Sequence, residues 1–300
     1  MDRMDRGLAA PTGTHEDPRE ANRRGIRLMV LSMSSFVVND ALVKYVSQTL
    51  PSGQLIFVRG VLATLLVLLV LRLTGGVVQP RQLASRWVLI RSFFDGLATL
   101  AYLISLFHLP LANATAINMA TPLMITLVAV VWLRTRVGPR RWLAVAAGFA
   151  GVLLVIQPRL EGFNAFAWLC LLGTVLHALR DLSTLRIGRE VPSGTVTLAT
   201  SLSVTLMAGL LASVQGWAAM TWTHAALLAA AAVFLANGYQ LMIRATRSGD
   251  LSLVAPFRYS GLLVALLLGW AVWGDVPNAL AWAGIALLLG AGLYLLRHGR

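Results

Sequence analysis

A chain of 300 residues with 57% hydrophobic residues, 12% charged residues and a mean hydropathy of +0.74 holds more apolar surface than one soluble core can hide. The net charge of +13 would suggest a nucleic-acid partner in a soluble protein, but it is confined to loops on one side of the apolar segments, and no nucleic-acid-binding motif accompanies it. A small, water-soluble, nucleic-acid-binding domain is thereby excluded, and a polytopic membrane protein remains.

Residues 1–25 are polar. The first 24 hold Pro11, Pro18 and five acidic residues among several arginines, the composition of a disordered cytoplasmic tail. No cleavage-site pattern follows a short apolar core, so the first apolar segment is read as an anchor and not a signal peptide. Runs of about 17 to 25 apolar residues, enough to cross a ~30 Å hydrocarbon layer, then recur ten times. They lie near 26–47, 54–71, 87–107, 113–133, 142–157, 164–184, 195–214, 224–243, 251–272 and 279–296. Backbone polar groups in a bilayer must be satisfied within the segment, so all ten are predicted to be helices, in an all-α fold.

The loops fix the orientation. With the amino terminus inside, the cytoplasmic flanks hold Arg19, Arg23, Arg24, Arg27, Arg72, Arg81, Arg86, Arg134, Arg136, Arg140, Arg141, Arg186, Arg189, Arg244, Arg247, Arg297 and Arg300, against Arg159 alone on the other side. Seventeen against one is the positive-inside pattern, and it places both termini in the cytoplasm and supports an even number of spans.

The first and sixth segments share a landmark. Asp40 stands eleven residues before Pro51-Ser52-Gly53, and Asp181 eleven residues before Pro192-Ser193-Gly194, at a constant offset of 141. Tyr102 and Asn113 are matched in the same way by Tyr239 and Asp250, at an offset of 137. The chain therefore reads as a duplication, 26–157 followed by 164–296, with five segments in each copy. Five is odd, so the second copy enters the membrane inverted, which is the architecture of many secondary transporters with a site where the halves meet.

Ionisable groups inside the segments each need an escape route or a purpose. Lys44, Arg59, Arg91, Arg180 and Arg258 lie no more than 7 residues from a predicted helix end, within snorkelling reach. Short aspartates lack that reach. If their helices run on to the following prolines, Asp40 and Asp181 sit ~16 Å from the boundary, and Asp95 sits at ~13 Å, all near the midplane. Asp40 with Lys44, and Arg91 with Asp95, have the i,i+4 spacing of local ion pairs. In the sixth segment His177 and Asp181 share a face with Arg180 adjacent, which brings an imidazole, an acid and a fixed positive charge into one turn and a half. Such a group can take up and release a proton during transport, so Asp95, His177 and Asp181 are the proton-coupling candidates. The competing reading is a histidine held by a hydrogen bond in the core.

Asn39, Asp40, Tyr102, Asn118, Arg180, Asn237, Tyr239, Arg258 and Tyr259 are the residues suited to recognising a polar solute. The two tyrosines at equivalent repeat positions would face each other across one cavity. Pro122 and Pro256, in the fourth and ninth segments, interrupt the backbone ladder inside the membrane and are hinge candidates, or plain packing kinks. Segments five and ten carry Gly148, Gly151, Gly284, Gly290 and Gly292 without interior charge, a composition for close helix contact at the periphery or in a homodimer. The single cysteine, Cys170, has no partner for an internal disulfide.

Several stretches resemble the drug/metabolite transporter superfamily and its ten-helix EamA-type branch, over residues 26 to 296. The most specific runs from Leu109 through Pro110, Leu111, Ala112, Asn113, Ala114 and Thr115 to Ala116, followed by Thr121-Pro122-Leu123. Val58-Arg59-Gly60, Arg180-Asp181 and Trp273-Gly274-Asp275 also fit, while Thr135-Arg136 replaces the Gly-Glu expected after the fourth helix. The resemblance implies a bacterial inner-membrane transporter with a central cavity, often an exporter of amino acids or related metabolites, with import or facilitated passage as alternatives. A membrane-embedded enzyme would need a catalytic constellation. The chain has no His-Glu-x-x-His, no Gly-x-Ser-x-Gly and no phosphate loop with its lysine, and it shows no metal-ligating or cofactor-binding pattern.

Overall fold

The computed structural model describes residues 18–75, 78–133, 138–157, 165–188, 190–248 and 250–298. No strand occurs among them. Ten apolar helices follow in chain order: α1 (Pro18–Val46), α2 (Ser52–Leu73), α3 (Arg86–His108), α4 (Leu111–Asn118 with Thr121–Leu133), α5 (Pro139–Ile156), α6 (Ala165–Thr184), α7 (Ser193–Gln215), α8 (Trp222–Ser248), α9 (Leu251–Val254, a 3-10 turn Ala255–Tyr259 and Ser260–Trp273) and α10 (Ala279–His298). Eight are long and apolar enough to span a bilayer, and the apolar stretches of α5 and α10, Trp142–Ile156 and Ala279–Leu295, are shorter. Helix α1 begins at Pro18, so residues 18–25, expected in the tail, form its first two turns.

The packing carries the duplication. Helix α1 lies along α8, and α3 along α6; α2 packs on α7, and α5 on α10. Exchanging each helix for the one five places away turns α1·α8 into α6·α3 and leaves α2·α7 and α5·α10 unchanged. Individual residues obey the same operation. Thr64 and Thr205, 141 apart, bring their hydroxyls to 3.4 Å of each other. Gly53 lies against the backbone of Ala212, and Gly194 lies against Leu71; adding 141 to 53 and subtracting it from 212 turns the first pair into the second. Two five-helix units related in this way and separated by an odd number of crossings are inverted repeats.

One glycine of α5 and one of α10 are spent on each other. A Cβ on Gly284 would stand 2.6 Å from the carbonyl oxygen of Gly151, and one on Gly151 would stand 2.7 Å from that of Gly284. Gln157 and Asn278 tie the same pair at its end through reciprocal amide bonds of 2.6 and 2.9 Å.

Both candidate hinge prolines sit where their helices break. Pro122 has no N–H for the carbonyl of Asn118, and the Thr121 hydroxyl takes that carbonyl instead at 2.6 Å, so α4 continues after a turn at Met119 and Ala120. Pro256 lies in the 3-10 turn of α9.

Helices α1 and α6 stop at Val46 and Thr184, short of the prolines to which the sequence extends them. The Ser183 and Thr184 hydroxyls bond back to the carbonyls of Leu179 and Arg180 in the last turn of α6. Asp181 therefore lies one turn from a helix end, not ~16 Å along a continuous helix.

Candidate functional site

A cavity of about 310 Å³ lies between the α1/α8 pair and the α3/α6 pair, with α2, α4 and α9 completing its walls. Helices α5, α7 and α10 contribute nothing to it. The contributions of α6 (His177, Arg180, Asp181), α8 (Tyr239, Met242) and α9 (Arg258, Tyr259) come from the parts of those helices nearest the end of the bundle where both termini lie. The opposite end is filled by Val43, Val46, Leu55, Leu106, Leu109 and Leu111, none more than 4% exposed. The first repeat contributes Arg59, Thr99 and Tyr102 from the other halves of α2 and α3, so the space lies midway along the bundle and is plugged with apolar side chains at the end away from the start of α1.

One wall holds a polar chain from the first repeat. Arg59 Nη1 donates to Asn39 Oδ1 at 3.1 Å, Asn39 Nδ2 donates to Asp40 Oδ1 at 2.8 Å, and the Tyr102 hydroxyl donates to Asp40 Oδ2 at 2.7 Å. The facing wall holds a denser cluster, in which Arg180, Asp181 and His177 of the second repeat meet Asp95 and Asn118 of the first. Arg180 Nη1 donates to Asp95 Oδ1 at 2.7 Å, and Arg180 Nε and Nη2 each lie 2.9 Å from Asp181 Oδ1. The Asp95 side chain is 7% exposed and that of Asp181 40%, so one carboxylate is sealed under the guanidinium and the other faces open space. His177 Nδ1 is 3.0 Å from Asn118 Oδ1, across α6 and α4. Tyr102 and His177 approach with ring centroids 6.4 Å apart, and Phe36 meets Tyr239 edge to face at 5.0 Å.

Of the polar residues singled out in the sequence, Asn39, Asp40, Tyr102, Asn118, Arg180, Tyr239, Arg258, Tyr259, His177 and Asp181 all line this one cavity, with Pro122 beside them. Asp95 belongs to it through Arg180. Asn237 does not: it turns from the cavity and donates to Ser35 Oγ at 3.3 Å. Pro256 is not a lining residue either.

The local ion pairs expected from i,i+4 spacing do not form. Lys44 turns away from Asp40 and caps the end of α3, donating to the carbonyl of Leu106 at 3.0 Å and to that of Leu109, with its ammonium 5.5 Å above the Trp273 ring. The last carbonyls of a helix have no partner within it and take the Lys44 ammonium, while the Asp40 carboxylate one turn back already has two donors. Arg91 leaves Asp95 for the hydroxyls of Thr184 on α6 and Thr200 on α7, and Asp95 takes Arg180 from the neighbouring helix. Snorkelling fails for the same reason: Lys44 and Arg59 are 7% and 6% exposed and are satisfied inward.

Arg59, Phe36, Thr115 and Met119 also line the cavity, although the sequence alone does not mark them as binding residues. Arg59 had a signal in being the only charged residue inside the second segment. The lone cysteine is buried, with its Sγ 3.7 Å from the Ala114 carbonyl. Residues 134–137, which hold the Thr135-Arg136 departure, lie outside the described residues.

Helices spanning a bilayer, related as inverted repeats around a charged central cavity, define a membrane transporter of small molecules. The EamA-like transporter family model matches residues 23–157. A riboflavin transporter of Rhizobium johnstonii is 33% identical over 211 residues, 70% of each chain. The pseudopaline exporter CntI of Pseudomonas aeruginosa is 30% identical over 286 residues, 92% of this chain and 96% of its own, and an S-adenosylmethionine uptake transporter of Rickettsia bellii is 24% identical over 277 residues, 91% and 93%. A crystal structure 16% identical superposes with a TM-score of 0.61 over 94% of this chain and 98% of its own, a likeness of fold. The chain belongs to the EamA-like transporters of the drug/metabolite transporter superfamily. It is a multi-pass membrane protein that carries small metabolites.

Proposed function

We propose that this chain is a secondary active exporter of a polar metabolite, amino-acid-like in bearing both an anionic and a cationic group. It resides in the bacterial inner membrane with both termini cytoplasmic, and residues 26–157 and 164–296 are its two transporting units. The observation that carries the reading is a central cavity walled by both repeats and plugged by apolar side chains at one end, as alternating access requires. The one-sided arginines make the terminal end cytoplasmic, and a relative named as an exporter matches 92% of the chain. Relatives named for uptake make import the competing direction.

A volume of about 310 Å³ is at the lower end of the sites that hold drug-sized ligands, about 300–1,000 Å³. In this reading Asp181, with its side chain 40% exposed, receives the cationic group, and Arg258 at the terminal end meets the anionic one. Arg180 is held by two carboxylates and acts by positioning them. Pro122 and Pro256 are the points at which α4 and α9 bend as the cavity changes sides.

Proton coupling is assigned to Asp181, with His177 and Asp95 as its electrostatic neighbours. In proteoliposomes given radiolabelled metabolites and an imposed pH gradient, Asp181→Asn should abolish gradient-driven accumulation while substrate counterflow survives, because exchange need not release the proton. His177→Gln should change the pH profile. A purely structural pair would show lower thermal stability in both variants, with transport per folded molecule and its pH profile unchanged.

A further inference from the structure

Two cations of the cavity have no carboxylate partner, and one of them is buried. Arg59 projects from the interior of α2 and is 6% exposed. Nη1 spends one hydrogen on Asn39, Nε is buried without a partner, and Nη2 bonds to no described residue. Asp40 does not meet it directly, because the Asn39 amide stands between them and the two carboxylate oxygens are taken by Asn39 and Tyr102. Arg180 is the contrast, since three of its nitrogens are spent on two aspartates. A guanidinium in the membrane with most of its donors idle is costly, and such residues mark the path of a ligand.

The repeat sharpens the point. The position equivalent to Arg59, 141 residues on, is Thr200 of α7, which lines no part of the cavity and accepts a bond from Arg91. The buried free cation therefore belongs to the first repeat alone, while the exposed carboxylate of Asp181 comes from the second. The cavity is polarised across its walls, although its fold is symmetric. Among the described residues, Arg258 meets the sulfur of Met242 at 3.8 Å and no carboxylate.

We infer that Arg59 is the anion-binding residue of the transport site and that the metabolite carried by this protein bears a carboxylate or phosphate that docks on the free edge of its guanidinium. The planar fork of arginine suits either oxyanion, which it can hold through two parallel bonds. Arg258 meets the anion at the cytoplasmic mouth and Arg59 holds it within, so the anionic end leads and the cationic end is left facing Asp181. The inference rests on the export reading above.

The test is mass spectrometry of the medium around cells making the wild-type chain, Arg59→Lys, Arg59→Gln or no transporter, with each purified variant checked for a single folded peak by gel filtration. The compounds raised outside by the wild type should carry a carboxylate or a phosphate, and their structures say which. Arg59→Gln should cut their export about tenfold or more, the loss expected when charge-assisted bonds to an anion disappear. Arg59→Lys, which keeps the charge without the fork, should export the same compounds at an intermediate rate. Wild-type export by Arg59→Gln would overturn the inference and leave the export reading standing, while cargo with neither carboxylate nor phosphate would overturn the inference and the amino-acid-like cargo, leaving only the direction of transport. A medium that the wild type leaves unchanged removes both. The wild-type cargo is read without any variant, so a Gln variant that fails to fold does not rescue the idea.

Discussion

Arg180→Gln should reduce the stability of the purified protein by about 3–5 kcal/mol, the loss typical of removing one partner from a buried ion pair. The guanidinium binds Asp95 on α3 and Asp181 on its own helix, and the Asp95 side chain is 7% exposed. Without the arginine, the sealed Asp95 carboxylate is left without its partner, and the α3·α6 contact, one of the two widest between the repeats, is strained. The triple variant Asp95→Asn/Arg180→Gln/Asp181→Asn has no charge left to strand and should recover most of the lost stability without recovering transport. Thermal unfolding in detergent checks both. A single variant as stable as wild type would mean that the cluster does not hold α3 to α6.

Gly284→Val should prevent accumulation of folded protein in the membrane. The first added carbon would meet the Gly151 carbonyl oxygen at 2.6 Å and the Leu154 Cβ at 2.9 Å, and a backbone oxygen cannot rotate away as a side chain can. The cost should exceed the about 1–3 kcal/mol of ordinary overpacking, because the two helices must separate along their length. Gly290→Val on the same helix has nothing within 4 Å of its new carbon and should behave as wild type. Comparing the two variants by fluorescence-detected gel filtration isolates the close approach from helix propensity; equal yields would show that α5 and α10 do not depend on it.

The sequence made the architecture legible because its two strongest signals are global. Arginine asymmetry is imposed by the membrane and the 141-residue offset by duplication, and neither depends on knowing which helix touches which. The candidate site was legible in the same measure: Asp40, Asp181, Tyr102 and Tyr239 were found as repeat equivalents, and all four line the cavity. Partner choice was not. Spacing along one helix pairs Lys44 with Asp40 and Arg91 with Asp95, whereas the fold supplies α3 carbonyls to the first and Arg180 to Asp95 from a residue 85 positions away. A local pair has to compete with every group that packing brings near, and in a low-dielectric interior the competitor with better geometry prevails. Asn237 went astray for a related reason, since a residue two positions before Tyr239 lies ~200° round the helix from it and bonds to Ser35 of α1 instead of lining the cavity.

The account's central claim is that the cavity between the repeats is the transport path and is reached from the two sides of the membrane in turn. Thr99 of α3 lines it, and the apolar plug around Leu106 and Leu111 closes the far end. The most direct measurement is alkylation of Thr99→Cys in a Cys170→Ser background by an impermeant maleimide applied to oriented vesicles, from each side, at rest and under a proton gradient. The account predicts labelling from the cytoplasmic side at rest, labelling from the outer side only during turnover, and block of transport by either. A cysteine at position 99 that reacts from one side only under every condition, or that reacts fully while transport continues, would contradict it.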